Sequence, residues 1–401
     1  MNYVAPAGTP LSLVDLVSGL GAGLLREGTE HELCDWLAKH SGQPRSWLMS
    51  SGRASMSLVF EAMKRAIPDA KRREIIIPGY TCYSVPAAAE RAGLTVRLCD
   101  IDPNTLSMNL EQLREFDFSS VLGIVTANLF GIPNALTEIE ALARQHGVFL
   151  LDDAAQSLGA QYEGRAVGGF GDVGLYSFDK GKNITTIQGG AIVARNGVLA
   201  QAIHAEYDAL PPAAFTETAG YMIKLGIYGL LLRPALYGVT QRLPFLGLGR
   251  TPYETECPVN RYSHVLAGLA LRLAKRLDDI NATRIQNARR LESALIDIPG
   301  IKLPIYPPHA SAVFARFPMF VSNAEKRQTL LDRLTAAGIG ATRSYPCALI
   351  DVPELAPKIS PADHNQFGAR WVANAIVTLP THGYCPPDLA ARVRKIILET
   401  L

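Results

Sequence analysis

Two lysines, Lys180 and Lys182, stand in the stretch YSFDKGKNITTIQGG (176–190), hemmed in by Ser, Asn, Thr and Gly just before the apolar run AIVA at 191–194. Solvated loops carry lysines routinely, but a lysine held by small residues at the mouth of a strand is suited to covalent chemistry through its amine. A second stretch, LLDDAAQSLGA (150–160), delivers two aspartates at the end of an apolar run. Asp153 and Gln156 are three apart, so on a helical turn they face the same way. The same pair also reads as a capping box, with Asp153 as a helix N-cap. A third stretch, SSGRAS (50–55), precedes the apolar helical run MSLVFEAMKRA. There Gly52 permits close backbone approach, and the N–H groups of Arg53 and Ala54 can point at an anion at the helix N-terminus. A capped helix without a ligand shows the same pattern. A Schiff-base amine, a buried acid and a phosphate cradle are what pyridoxal phosphate needs from a protein. The acid sits against the pyridine nitrogen, and Gln156 can hydrogen-bond near the phenolic oxygen. Which lysine would serve is open at this level.

These residues need a frame. EIIIP (74–78), TVRLCD (95–100), VLGIVTA (121–127) and VFLLDD (148–153) read as buried strands. Between them, VPAAAERAG (85–93) and ALTEIEALARQHG (135–147) carry apolar residues at helical spacing, the second closing on Gly. Strand and helix in alternation predict an α/β fold with a mostly parallel sheet covered by helices. In such sheets chemistry gathers at the carboxyl ends of the strands, where Asp152, Asp153 and the Pro78–Tyr83 turn fall. The pattern changes near 260. Residues 264–300 predict one long amphipathic helix or two in series, followed by a strand over 312–321, a helix over 325–340 and a terminal helix over 389–401. The expected organisation is a large domain over 1–259, with an apolar insert at about 217–250, and a smaller α/β domain over 260–401.

At 401 residues, two domains are the simplest expectation. Apolar residues make up 48% and charged residues 19%, which suits a globular chain and argues against broad disorder. The formal net charge is +2 with no basic stripe, so no nucleic-acid partner is expected. The six cysteines (34, 82, 99, 257, 347, 385) show no CxxC pair, which leaves neither a zinc-ribbon spacing nor a small disulfide framework and predicts no metal. MNYVAPAGTPLSL lacks the basic start and apolar core of a signal peptide, so a cytoplasmic location is expected.

Several blocks together resemble the DegT/DnrJ/EryC1/StrS family of sugar aminotransferases, pyridoxal phosphate enzymes of fold type I. SSGRASMSL resembles the family's phosphate turn, and IIIPGYTCYSVPAA, CDIDPNTLSMN and the long run from LFGIPNALTEIEAL to VGLYSF resemble its next blocks. The resemblance implies Lys182 as the Schiff-base lysine, from the pattern Ser177-Phe178-Asp179-Lys180-Gly181-Lys182-Asn183. Lys180 then becomes a surface or entrance lysine. It also implies Asp153 at the pyridine nitrogen, Gln156 at the phenolic oxygen side, and Ser177 with Gly52, Arg53 and Ala54 at the phosphate. Asn260, in PVNRYS (258–263), would reach a neighbouring subunit's phosphate in a homodimer with a shared active site.

The chain departs from the family at its substrate end. Cys82 stands where an aromatic residue usually covers the cofactor ring, so Tyr80 or Tyr83 becomes the candidate cover, with core packing as the alternative. Arg53 replaces a threonine, and Gln188 replaces a glutamate near the lysine. The motif near the substrate pocket reads Ser344-Tyr345-Pro346 without its histidine, and Arg343 beside it could meet a carboxylate or phosphate. The apolar stretch 219–249 holds only Lys224, Arg233 and Arg242 as charges. Its runs are far shorter than the roughly 20 residues of a membrane span. Core or interface packing, a weak membrane-surface contact, and a lid over a bulky substrate are its three readings. The activity implied is transfer of an amino group from an amino acid, expected to be glutamate, to a keto-sugar, expected to be nucleotide-linked. A non-nucleotide cyclic ketone as acceptor, or a non-catalytic regulatory module, are the alternatives.

Overall fold

The computed structural model describes residues 2–240 and 253–401, so residues 241–249 of the apolar stretch lie outside the described residues. In chain order the strands are β1 (Arg45–Met49), β2 (Glu74–Pro78), β3 (Thr95–Cys99), β4 (Val121–Ala127), β5 (Phe149–Asp153), β6 (Gln161–Tyr162) and β7 (Arg165–Ala166). Then come β8 (Val173–Ser177), β9 (Gly190–Ala194), β10 (Ile301–Lys302), β11 (Ala310–Ser311), β12 (Phe317–Val321) and β13 (Ile376–Leu379).

The central sheet has the order β1-β9-β8-β5-β4-β2-β3. β9 alone runs against the rest. β4 and β8 are buried at every position, as expected of strands covered on both faces, which therefore lack polar alternation. Crossover helices Gly52–Ala66, Ser84–Arg91 and Leu136–His146 connect the parallel strands. The last ends on Gly147 in the left-handed conformation, φ +61°, as the sequence predicts. All the parallel strands therefore point their carboxyl ends to one side of the sheet.

The 264–300 pattern is two helices in series, His264–Ala274 and Leu277–Leu295. The first packs closely on the N-terminal helix Leu13–Leu25. A Cβ on Gly268 would lie 2.4 Å from Gly19 O, so only glycine allows that approach. Buried Asp15 fixes the same contact through Arg272 (2.9 Å) and Arg276 (2.7 Å). A second sheet, β10-β12-β13, lies beyond these helices. Its middle strand is shorter than the predicted 312–321, because Phe314 adopts φ +47° and interrupts the extended run. Helices Ala324–Ala336 and Leu389–Leu398 occupy the predicted places.

His382 is only 1% exposed and its Nε2 meets Ala5 O at 2.8 Å, tying the N-terminal segment to the end of β13. Burial pushes its pKa from 6.5 down to about 4. A depressed histidine contributes stability that is complete above pH 6.5 and is lost as pH falls through 4, about 3 kcal/mol over that window. Urea titrations across pH 4–7 should give His382→Gln a shallower loss than the wild type. Equal slopes would refute the assignment.

Candidate active site

The carboxyl ends of β1, β2, β4, β5 and β8 open into one cavity of about 630 Å³, within the range of small-molecule sites. At the end of β1, Ser51 caps the helix Gly52–Ala66, its Oγ accepting from the Ala54 N–H at 3.0 Å. First-turn N–H groups have no intrahelical acceptor, so those of Gly52 and Arg53 remain for a ligand while that of Ala54 is taken. The expectation that Ala54 serves an anion is thus corrected to Ser51, Gly52 and Arg53, all of which line the cavity. Ser177 closes this cradle from β8: a Cβ on Gly52 would lie 3.2 Å from its Oγ. The guanidinium of Arg53 turns to Glu254, meeting its carbonyl at 3.1 Å and its carboxylate at 3.3 Å.

β5 delivers Asp152 and Asp153 to opposite sides, as strand alternation requires. Asp152 accepts from the Gly168 N–H (2.6 Å), Asn128 Nδ2 (2.7 Å) and Thr126 Oγ1 (3.2 Å), and does not line the cavity. Burial nevertheless pushes its pKa up to about 6. Asp153 lines the cavity, and among the described residues its carboxylate takes a single hydrogen bond, from the Ala155 N–H at 2.9 Å. Burial raises its pKa, and the charge of Lys182 acts in the opposite direction. No helix follows β5, only turns, so Asp153 is not a helix cap. Gln156 also lines the cavity; its Oε1 accepts from the Phe130 N–H (3.2 Å) and its Nε2 donates to the Tyr345 hydroxyl (3.1 Å).

Lys180 and Lys182 both reach the cavity wall. Lys180 is exposed and Lys182 half-buried. The carbonyl of Lys182 accepts from Thr9 Oγ1 at 2.7 Å and from Arg284 Nη2 at 3.2 Å. Arg284 is fully buried and also holds Gly8 O at 2.8 Å. The N-terminal segment and the second helix of the 264–295 pair thereby grip the lysine loop.

Two candidate ring covers prove to be core. Tyr80 is wholly buried, donates to Tyr345 O at 3.0 Å and accepts from the Tyr345 N–H. Tyr83 meets Cys347 Sγ at 2.9 Å. Neither lines the cavity; Cys82, Ser344 and Tyr345 do, with Tyr80 and Tyr83 packed behind Tyr345 at ring distances of 5.9 Å. Arg343 is exposed and off the cavity wall, and the arginines on that wall are Arg53 and Arg316. Asn260 is held to Ser50 through its main chain, 3.0 Å and 3.3 Å, and is not among the lining residues either.

Sequence reasoning missed Arg316, Asn128 and Thr9, and it singled out the stretch SSGRAS without giving Ser51 a role. It also left the apolar stretch unplaced. Helix Phe215–Leu231 buries Leu225 and Gly229, turns Tyr221 and Lys224 to the cavity, and exposes Phe215, Ile223, Ile227 and Leu230. Tyr221 donates to Gln188 Oε1. Part of the stretch is therefore cavity wall. Among the described residues no helix is long and apolar enough to cross a membrane.

The sequence profile of the DegT/DnrJ/EryC1/StrS aminotransferase family matches residues 19–223 and 251–397. The erythromycin biosynthesis sensory transduction protein EryC1 of Saccharopolyspora erythraea is 27% identical over 386 residues, 95% of this chain and 92% of that one. The dTDP-3-amino-3,4,6-trideoxy-alpha-D-glucose transaminase of Streptomyces venezuelae is 26% identical over 330 residues, 81% of this chain and 76% of that one. Among solved structures, the E. coli GDP-4-keto-6-deoxy-D-mannose-3-dehydratase with bound hydrated PLP superposes with a TM-score of 0.78. It is 18% identical and covers 100% of both chains, a likeness of fold.

Proposed function

Because the chain belongs to the DegT/DnrJ/EryC1/StrS aminotransferase family, we propose that it is a pyridoxal phosphate-dependent aminotransferase that moves an amino group from glutamate to a keto-sugar carried on a nucleotide, in the biosynthesis of a glycan or a secondary-metabolite sugar. The observation that carries this reading is the carboxylate of Asp153, buried in the cavity wall with a single hydrogen bond and acted on by Lys182. An anion so poorly satisfied calls for a cationic N–H donor, which a protonated pyridine nitrogen supplies. The helix cradle at the other side of the cavity fits the phosphate.

When bound, pyridoxal phosphate supplies a carbonyl carbon that condenses with amines and a ring that accepts electrons from the donor's Cα. The residues of this chain do the rest. The N–H groups of Gly52 and Arg53 and the hydroxyl of Ser177 hold the phosphate at the positive end of the helix Gly52–Ala66. Asp153 keeps the ring nitrogen protonated, and Gln156, pinned between Phe130 and Tyr345, presents a fixed amide to the ring's oxygen side. Lys182 would hold the cofactor through its amine and, from the same place on the cavity wall, would be the group that moves the proton at the donor's Cα. Tyr221 and Lys224 form the part of the wall that suits a lid over the acceptor.

The same proposal includes a homodimer in which Asn260 serves the neighbouring site. That residue does not line its own cavity, which supports the exchange. Sizing at several concentrations tests it: a stable monomer that binds pyridoxal phosphate fully would refute the shared site.

The deciding experiment is the visible spectrum of the protein loaded with pyridoxal phosphate. Adding glutamate should bleach the band, and adding the acceptor keto-sugar should restore it. Bleaching without recovery across a panel of nucleotide-linked keto-sugars would reject the acceptor, and no uptake of the cofactor would reject the enzyme.

A further inference from the structure

The family profile matches residues 19–223 and 251–397 and skips what lies before and between them. Among the described residues, the two skipped stretches, 2–18 and 224–240, meet each other. The Tyr3 N–H donates to Pro234 O at 2.8 Å, and the Thr9 N–H to the Tyr228 hydroxyl at 3.2 Å. The rings of Tyr3 and Tyr237 stack at 5.7 Å. A Cβ on Gly229 would lie 3.5 Å from Leu16 Cδ1 and 3.6 Å from Leu11 Cβ. Helix Phe215–Leu231 therefore runs close against the start of helix Leu13–Leu25.

What this pair turns outward is apolar. On helix Phe215–Leu231, Leu225 and Gly229 are buried, whereas Ile223, Ile227 and Leu230, spaced to share one face, are each more than half exposed. On helix Leu13–Leu25, Asp15 and Gly19 are buried, whereas Leu13, Val14 and Val17 are each more than half exposed. Single apolar side chains on a surface are ordinary; rows of them on two touching helices are what a membrane or protein contact uses.

The charges identify the occupant. Residues 1–25 carry one charged side chain, Asp15, buried against Arg272 and Arg276. Residues 218–240 carry two, Lys224 and Arg233, both exposed. Glu217 lies on the Tyr221 side of its helix, where its charge acts on that hydroxyl, and exposed Glu27 lies past the far end of the other helix. A second copy meeting this face about a two-fold axis would bring the same basic groups against each other. A bilayer rich in anionic headgroups offers negative charge to Lys224 and Arg233 and an acyl boundary to the apolar rows. Among the described residues no helix is long and apolar enough to cross a membrane, so such a contact is interfacial.

We propose that helices Leu13–Leu25 and Phe215–Leu231 seat this protein on an anionic membrane surface with their apolar rows in the headgroup layer. Tyr221 and Lys224, on the flank of the second helix, line the cavity, so the docked helix carries one side of the active site to the membrane. The placement is independent of the acceptor that the cavity takes.

Co-sedimentation of the cofactor-loaded protein with vesicles tests it. Vesicles of phosphatidylglycerol and phosphatidylcholine in equal parts should carry the protein down. Phosphatidylcholine alone should bind it about 5-fold more weakly for each basic side chain engaged. Ile227→Gln/Leu230→Gln should lose at least about 10-fold in affinity for the mixed vesicles, and Arg233→Gln about 5-fold. Melting temperatures check folding; should the first pair lower it, Val14→Gln/Val17→Gln repeats the test on the other helix. A wild type that stays in the supernatant, or one bound equally by both vesicle types, would overturn the proposal. So would Gln variants that bind as the wild type does, or that turn a dimer into a monomer on sizing, which would give the face to a second copy.

Discussion

Lys182→Ala should abolish transamination to the limit of detection, whereas Lys180→Ala should leave it within a few-fold of the wild type. Removing a positioned proton-transfer group alone costs about 10²–10⁴-fold, and this variant also loses the amine that holds the cofactor. Both lysines line the cavity, so proximity does not choose between them. The choice rests on their surroundings. Lys182 acts on the buried carboxylate of Asp153 and has its carbonyl fixed by Thr9 and Arg284. Lys180 is exposed, and its N–H caps Asp179 at 2.7 Å. Single-turnover bleaching by glutamate, with visible spectra of both loaded variants, checks the assignment. Lys182→Ala keeping a tenth of the rate, or the large loss appearing in Lys180→Ala, would reverse it.

Asp153→Asn should move activity and stability in opposite directions. The carboxylate is what keeps the ring nitrogen protonated, and an amide of the same shape does not. Losing one preorganised electrostatic group costs about 10²–10³-fold in rate. In the protein without cofactor the same charge is a burden, because burial raises the pKa of Asp153 above its ordinary 3.8. A raised carboxyl destabilises the fold progressively as pH climbs past the unfolded value, so at neutral pH the asparagine variant escapes that cost. Its melting temperature without cofactor should equal or exceed that of the wild type, while added pyridoxal phosphate should raise it less. An unchanged bleaching rate, or a cofactor-free variant that melts well below the wild type, would show that Asp153 is a structural group.

The two aspartates also show where legibility in the sequence stops. Strand β5 is plain in VFLLDD because a strand buried on both faces reads as a continuous apolar run. The doublet at its end was equally plain. That Asp152 goes to the Gly168–Phe170 loop and Asp153 to the cavity depends on which face of β5 meets which neighbour. Its orientation relative to the cavity was carried by the family resemblance, not by the local pattern. The glycine-stopped helix 136–146 was legible for the same local reason, since capping and periodicity act within a turn or two, whereas the break inside 264–295 stayed open between one helix and two until the structure divided it.

What stayed hidden is long-range. Ala54 looked free to hold an anion, but Ser51 Oγ occupies its N–H, a choice made by a side-chain rotamer. Tyr80 and Tyr83 looked like ring covers; contacts with Tyr345 and Cys347, more than 260 residues away in the chain, turned them into core. Arg343 looked like the arginine of the substrate pocket because it adjoins Ser344 and Tyr345, yet it is exposed, and Arg316 takes the wall from the start of a different strand. Local spacing sets the strands and the caps of this chain, because those energies are paid between near neighbours. The membership of the cavity wall is set by how the second sheet and the N-terminal segment pack against the first, where the partners are remote in sequence and leave no periodic trace.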